Sequence, residues 1–456
     1  MHPVENTNRP AQPSASLWWL HPFWIVVVPL VVISFIAYAL PAAEYREQWR
    51  TAKAFDGEAF ALCVAVAAAF SAGCLLAAWI NAGFSLRRQI PSGPRDAHAG
   101  QRELRILFAI AFVVTIASYA LWFGSILKQG GIGMLRNMLA GGQGASDELK
   151  RSAVASMISG VTTLTQLGMG TALLGTYLGF TQGWRKVRLR MVLLFFLVLF
   201  RAVFLSERLS LIEVALPSVV LMMRLTGFGR PGSALRLFLL IAPVAGIAAL
   251  YALFTFAEYF RSWSTFYADR SDQSLFAFTA LRLLGYYVTA LNNGAIEWHA
   301  HGALHFPYAT MGWLWNFPVI GAPLRHALGG DSNPSEVRDA LLTAEGNPEL
   351  SNPSGIFVVF TDYGVPGTLL YFAILGCAAA LLYGSYRRGS VVGLFLYSFL
   401  FVGMTEQVRI IYISTGRAFP TWLLLFAAIF VSWPGLRRGR PPRKREDQPP
   451  PAAPPG

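Results

Sequence analysis

Long apolar blocks, separated by short polar or basic segments, run through most of this chain. Blocks such as 23–40, 60–80 and 237–256 reach or approach the roughly 20 residues that a helix needs to cross a bilayer. Because peptide groups in hydrocarbon must be hydrogen-bonded within the protein, each block should form a helix. The pattern therefore predicts an all-α, polytopic integral membrane protein.

The same pattern predicts about ten transmembrane helices. The stretch 191–223 is divided in two at 206–208, since one helix of that length would be roughly 50 Å long, too long for one crossing. The first block is long enough to cross the membrane, so we interpret it as an uncleaved helix rather than a signal peptide. The predicted spans are 20–40, 58–80, 106–127, 153–180, 191–205, 210–223, 237–256, 355–382, 391–404 and 419–433.

The charged residues agree with this interpretation and set the orientation. Hydrophobic residues make up 54% of the 456 positions and charged residues only 13%, too few to cover a soluble domain. The net charge is +13, and most Lys and Arg lie in the even-numbered connections and after the last span. Cytoplasmic loops carry such an excess, so we expect a multi-pass protein of the bacterial cytoplasmic (inner) membrane with both termini in the cytoplasm. No nucleic-acid-binding motif accompanies the basic residues, so no nucleic-acid partner is predicted.

Residues 1–436 should form a single polytopic membrane domain, followed by a basic and then proline-rich cytoplasmic tail, 437–456, that is expected to be disordered. The connection 257–353, between the seventh and eighth spans, is the longest and should be a large periplasmic loop. A polar stripe at helical spacing within 273–293 predicts an amphipathic helix in this loop.

Arg201 lies inside the apolar run 193–205, where a charge costs at least ~2.5 kcal/mol unless it is paired or hydrated. If the helix continues, Arg208 is two turns further along on the same face, and Glu207 and Glu213 are close in the sequence. One interpretation is a cationic clamp for a phosphate-bearing lipid, because guanidinium groups bind phosphate oxygens in pairs. The other is an internal ion pair of Arg201 or Arg208 with Glu213 that holds helices together.

Further arginines fall on the predicted outer side, where arginine is usually rare. They indicate either an anionic substrate or ordinary interfacial snorkelling. These residues are Arg261, Arg282, Arg409 and Arg417.

His301 and Asp362 are the candidates for proton transfer. His301 belongs to a group of three loop histidines whose spacing matches no helical zinc pattern, so no metal site is predicted. A histidine here would serve as a general base near neutral pH, or would simply be solvated. Asp362 sits about two turns into the eighth span, where it would hold an arginine or accept a proton. Alternatively, the Gly and Pro residues that follow simply permit close helix packing.

The segment 351–376 resembles the conserved region of Wzy-type oligosaccharide repeat-unit polymerases. In that family an Asn/Ser-rich turn precedes a span that carries an aspartate–aromatic–glycine step. The matching residues are Ser351, Asn352, Pro353 and Ser354, then Asp362, Tyr363 and Gly364. The related O-antigen ligases share the topology, with an Arg- and His-bearing outer loop.

The resemblance implies a glycosyltransferase that moves glycan from a polyprenyl diphosphate to a lipid-linked repeat unit outside the cytoplasm, with no metal and no cofactor. Its expected partners are the polyprenyl-diphosphate-linked oligosaccharide, membrane lipids, a flippase and a chain-length regulator. An O-antigen ligase is the first alternative and a lipid-linked glycan transporter or flippase the second. We expect catalytic roles for Arg201, Arg208, Arg282, His301 and Asp362, and substrate binding by Glu207, Glu213, Arg261, Tyr286, Asn292, Asn352 and Arg409.

Overall fold

The structure is a computed structural model. It describes residues 17–85, 100–139, 145–158, 160–204, 209–226, 239–268, 272–317, 319–330 and 334–432. The predicted tail and two predicted site residues, Glu207 and Arg208, lie outside the described residues.

Every long element of the described residues is a helix, as the sequence predicted. Side-chain caps mark several helix starts; Ser390, for example, accepts a hydrogen bond from the Gly393 amide. The helices are α1 (Pro22–Ala39), α2 (Ala42–Trp49), α3 (Gly57–Ser85), α4 (Gln101–Lys128), α5 (Gly131–Leu139), α6 (Ala145–Ala155), α7 (Val161–Leu164), α8 (Leu167–Gln182), α9 (Arg188–Phe204), α10 (Leu209–Leu225), α11 (Ala242–Glu258), α12 (Leu275–His301), α13 (Gly312–Trp315), α14 (Gly321–Ala327), α15 (Pro334–Glu345), α16 (Phe357–Arg388), α17 (Val391–Glu406) and α18 (Phe419–Val431).

Five of the described helices, α1, α3, α4, α12 and α16, are long and apolar enough to cross a membrane. Helices α11, α17 and α18 are also apolar but shorter. These helices support the predicted membrane location.

One predicted span is wrong as a continuous helix. Within 153–180 the chain breaks after α6, forms the single turn α7, and resumes as α8. Gly160 has a φ of 81°, outside the helical region, and the hydroxyls of Thr162 and Thr165 donate to nearby backbone carbonyls. These local hydrogen bonds compete with the helical pattern, although the segment is apolar overall.

The amphipathic helix predicted at 273–293 is longer than expected. It begins after Ser274, whose side chain caps the Ala277 amide, and ends at Gly302, which has a φ of 61°. The sequence analysis placed His301 in a loop, but in the structure it is the last residue of this helix.

The segments that connect the helices lie at two opposite ends of the bundle, where side-chain hydrogen bonds hold them together. At one end, which we call the site end, Gln407 after α17 donates to the Gly355 carbonyl before α16 at 2.7 Å. At the other, which we call the basic end, Arg224 of α10 donates to the Tyr386 carbonyl near the end of α16 at 3.2 Å. Gln182 of α8 likewise donates to the Gln101 carbonyl at the start of α4.

Helix α12 contacts segments of the site end along much of its length. Gly285 packs directly on the Trp49 ring of α2. Asn292 accepts hydrogen bonds from the amides of Ala54 and Phe55, just before α3 begins. The ring of Phe55 in turn lies against Phe357, the first residue of α16. Helix α12 therefore lies against the site end of the bundle.

A candidate active site at one end of the bundle

The first part of the site is a kink in α16. Gly364 has φ 66° and ψ −176°, a backbone conformation that favours glycine, and Pro366 lacks an amide hydrogen for the helix. The turn that precedes the kink bonds outside its own helix: the Leu304 amide donates to the Thr361 carbonyl at 2.7 Å. The kink thus fixes the segment after α12 against the start of α16.

Asp362 strengthens this attachment. Its side chain is only 1% exposed, and its carboxylate accepts hydrogen bonds from the amides of Ala309 and Thr310 and from the Thr310 hydroxyl at 2.8 to 3.1 Å. The Thr310 hydroxyl also lies 2.7 Å from the Tyr363 hydroxyl. Asp362 therefore anchors a loop, a role that the sequence analysis did not anticipate.

Beside this anchor lies a cavity of about 250 Å³, which we call the glutamate cavity. Glu297 of α12 is 6% exposed and lines it, and the Oε2 atom of this residue has no hydrogen-bond partner among the described residues. Arg325 of α14 and Arg338 of α15 line the same cavity, and the Nε atom of Arg325 is likewise buried without a hydrogen-bond partner there. A buried carboxylate oxygen of this kind is costly unless something else binds it.

The sequence analysis missed these three residues as site residues. Glu297 was detectable, because it extends the polar stripe of α12 by one helical step of four residues beyond Asn293. Arg325 and Arg338 lie on short, separate helices, and only the folded chain shows that they face Glu297.

A second cavity of about 420 Å³ adjoins the first, and Ile410 lines both. We call it the arginine cavity, because Arg409 and Arg417 line it from the connection between α17 and α18. The other polar lining residues are Tyr286, Tyr287, Glu349, Ser351, Asn352 and Glu406, and its apolar wall comes from Leu209, Ile212, Leu250, Leu253 and Phe254 of α10 and α11.

Each arginine of this cavity lies next to a carboxylate. The Nε atom of Arg409 is 2.7 Å from Glu406, and that of Arg417 is 3.3 Å from Glu213. Burial lowers the pKa of Arg409, but the charge and hydrogen bond of Glu406, together with Tyr287 and Tyr286, raise the pKa above its usual value, so this guanidinium stays protonated. A guanidinium has five N–H donors, and one carboxylate does not exhaust its capacity for the oxygens of an anion.

Arg282 does not line either cavity. Its guanidinium binds Glu258, the last residue of α11, at 2.9 Å and Glu349 at 2.5 Å. The positive charge of this predicted catalytic residue is thus compensated by two carboxylates, and the residue ties α12 to α11 and to the segment before α16.

Arg201 is also enclosed by protein. It is 5% exposed, donates to the Thr165 hydroxyl at 3.1 Å, and lies 5.0 Å from the Trp122 ring. With its amide oriented to satisfy both partners, Gln166 accepts from Arg201 and donates to Glu213, each at 3.1 Å. The structure therefore links Arg201 to Glu213 through Gln166, and Arg201 lines neither cavity.

The remaining predicted residues fall into three groups. Tyr286, Asn352 and Arg409 come together in the arginine cavity. Asn292 is fully buried and its amide is occupied by backbone groups of residues 52–55, while His301 is exposed and lines neither cavity. Arg261 falls in the π-helical segment Tyr259–Tyr267, and its side chain is outside the described part of the chain.

Within the described residues, no group of three His, Cys, Asp or Glu side chains is arranged to hold a metal ion. The chain matches no family model, no curated protein and no solved structure. Its function is therefore inferred from the chemistry of the two cavities and from the orientation of the helices.

Proposed function

We propose that this chain is a membrane glycosyltransferase that polymerises lipid-linked oligosaccharide repeat units on the outer face of a bacterial cytoplasmic membrane. The observation that carries the proposal is a pair of adjoining cavities. One holds a Glu297 carboxylate oxygen that has no hydrogen-bond partner in the described part of the chain, and the other holds Arg409 and Arg417. Proton removal and anion stabilisation are the two tasks that transfer from a diphosphate requires.

The orientation follows from charge. Positive charge accumulates in cytoplasmic connections, so the basic end would face the cytoplasm and the site end the outside. Helix α12 would then lie on the outer side of the membrane without crossing it. The number of transmembrane helices would remain the ten predicted from the sequence. The described basic-end cations are Arg102, Arg105, Arg185, Lys186, Arg188, Arg190, Arg224, Arg387 and Arg388.

The arginine cavity suits the donor, a glycan on a polyprenyl diphosphate. Arg409 and Arg417 would bind the diphosphate oxygens, since a planar guanidinium can donate two parallel hydrogen bonds to them. The wall formed by Leu209, Ile212 and Leu250 supplies the apolar surface that a prenyl chain requires.

The glutamate cavity suits the acceptor sugar. The rings of Tyr308 and Trp315 line this cavity and present flat apolar surfaces, and Glu297 would accept the proton of the acceptor hydroxyl. The oxygen of the acceptor hydroxyl then bonds to the anomeric carbon of the donor while the bond from this carbon to the diphosphate breaks. The electron pair leaves with the diphosphate, whose added charge Arg409 and Arg417 stabilise.

The test is the Glu297→Gln variant of the purified full-length protein, assayed with a synthetic lipid-linked repeat unit. Glutamine has nearly the same shape but cannot take up a proton, so we expect kcat to fall by about 10²–10⁴-fold. Glu345→Gln removes an exposed carboxylate of α15 that lines neither cavity, and it should retain full activity. Normal kcat in Glu297→Gln would show that this carboxylate is not the base.

A ligase would use the same two cavities, so glycan length must separate the two activities. Deletion of a polymerase should leave single repeat units on the final acceptor and no ladder. Deletion of a ligase should leave long chains on the lipid carrier, and that result would replace the polymerase with the ligase. Deletion of a transporter should instead leave single repeat units on the cytoplasmic leaflet.

A further inference from the structure

A third cavity, of about 300 Å³, lies at the basic end, far from both cavities of the proposed active site. It is formed where α4, α8 and α9 meet, next to the turn Trp184–Lys186. We call it the basic-end cavity. Nothing in the proposed glycosyl transfer uses it.

Cations dominate its polar lining. Arg105, Lys186 and Arg190 line the cavity with Gln182, and the lining that the structure describes includes no carboxylate. The guanidinium of Arg190 lies 5.8 Å from the centre of the Phe108 ring, which holds the charge at the rim of the cavity. Three like charges around one concave surface repel one another and favour an anion between them.

The floor and the surroundings of this cavity are apolar. Phe108, Leu178 and Val187 form the floor. Exposed apolar side chains continue from the rim along one face of α4 and one face of α9, at helical spacings of three and four residues. These side chains are Ile106, Ile110 and Val113 on α4, and Leu189, Val192 and Phe196 on α9.

Trp184 marks the level of the membrane surface at this position. It is exposed at the turn before α9, and tryptophan is enriched where the bilayer meets water. In a bilayer whose surface lies at Trp184, the cations would lie at the level of the phospholipid headgroups and the two apolar faces at the level of the acyl chains.

We propose that the basic-end cavity is a binding site for an anionic phospholipid of the cytoplasmic leaflet. The phosphate group would bind to Arg105, Lys186 and Arg190, and the acyl chains would pack on the exposed faces of α4 and α9. Basic pockets between membrane helices on the cytoplasmic side bind phospholipid headgroups in this manner.

The test measures lipid binding to delipidated full-length protein by native mass spectrometry. The probes are phosphatidylglycerol and phosphatidylcholine with the same acyl chains. We expect tighter binding of phosphatidylglycerol, and an affinity about 30-fold weaker in the Arg105→Ala/Arg190→Ala variant, as expected when two membrane-surface cations are lost. Equal binding of the two lipids by the unmodified protein would overturn the proposal.

The matched control is Arg102→Ala/Arg188→Ala, which removes the same charge from α4 and α9 outside the cavity and should keep the preference. An equal loss in this control would mean general surface attraction and would also overturn the site. Should the cavity variant fold poorly, Lys186→Gln against Arg185→Gln makes the same comparison within the turn. Stronger binding of polyprenyl phosphate than of phosphatidylglycerol that is lost in Arg105→Ala/Arg190→Ala and kept in the control would assign the cavity to the carrier lipid instead. Activity does not enter these measurements, so their outcome is separate from that of the proposed reaction.

Discussion

Thr310 donates two hydrogen bonds of 2.8 Å to the same carboxylate oxygen of Asp362, one from its amide and one from its hydroxyl. The two residues are far apart in the sequence, and the contact closes the segment 302–310 over the start of α16. The glutamate cavity is bounded by this segment, so its shape depends on the contact.

Replacement of Asp362 should therefore lower the stability of the protein, and any loss of activity should be a consequence of that loss of stability. Asp362→Ala leaves the amides of Ala309 and Thr310 buried without their acceptor, at about 1–3 kcal/mol for each unsatisfied donor. We expect a clear fall in melting temperature in detergent. Thr310→Val removes only the hydroxyl and should have a smaller effect. An unchanged melting temperature in Asp362→Ala, with activity lost, would instead favour the proton-transfer role.

The arginines of the site should separate into two classes. Arg409→Gln and Arg417→Gln should each lower kcat/KM for a polyprenyl-diphosphate donor by about 10²-fold, the effect of removing one preorganised donor from a developing charge. All three variants remove a partner of a buried carboxylate and should lower stability, but Arg282 lines neither cavity, so kcat/KM of the folded Arg282→Gln variant should be unchanged. Steady-state kinetics and melting curves of the three variants distinguish the classes. Arg388→Gln, at the basic end, is the charge control, and a comparable loss of kcat/KM there would contradict a local role.

Helix α12 offers a test of topology. If it lies against the outer face without crossing, cysteines placed at both of its ends should react with a membrane-impermeant thiol reagent in intact spheroplasts. The variants are Asp272→Cys and His301→Cys, both exposed positions, in a background in which the three native cysteines are replaced. Arg388→Cys should be protected until the membrane is opened. Labelling of only one end of α12 would mean that the helix spans the bilayer.

Metal dependence provides a fourth test. The first predicted outer connection carries Glu44 and Glu47 but no Asp-x-Asp or Glu-x-Asp pair, and the proposed reaction assigns the diphosphate charge to guanidinium groups. Transfer by the purified protein should therefore continue in EDTA at an unchanged rate. Activity that disappears with the chelator and returns with Mg²⁺ or Mn²⁺ would require a metal ion in the mechanism.

Much of the helical framework was predictable, because the apolar runs that favour membrane helices are local features of the chain. The predicted spans at 20–40, 58–80 and 391–404 match α1, α3 and α17 to within a few residues at most ends. The failure at 153–180 arose because hydropathy does not register the non-helical φ of Gly160 or the hydroxyl hydrogen bonds around it. Three predicted binding residues, Tyr286, Asn352 and Arg409, do meet in one cavity.

What the sequence alone determined was which segments are apolar, where positive charge accumulates and which residues carry unusual charge for their position. What only the tertiary structure decided was the partner of each charge. Arg201 and Arg282 had the same claim on an anionic substrate as Arg409. All three have protein partners in the folded chain, but only Arg409 also lines a cavity. Charge in a membrane protein must be compensated by whatever the packing brings near it, and packing joins segments far apart in the sequence. For the same reason Glu297, which the sequence shows only as one more step of the polar stripe of α12, became the candidate base only once α14 and α15 had folded beside it.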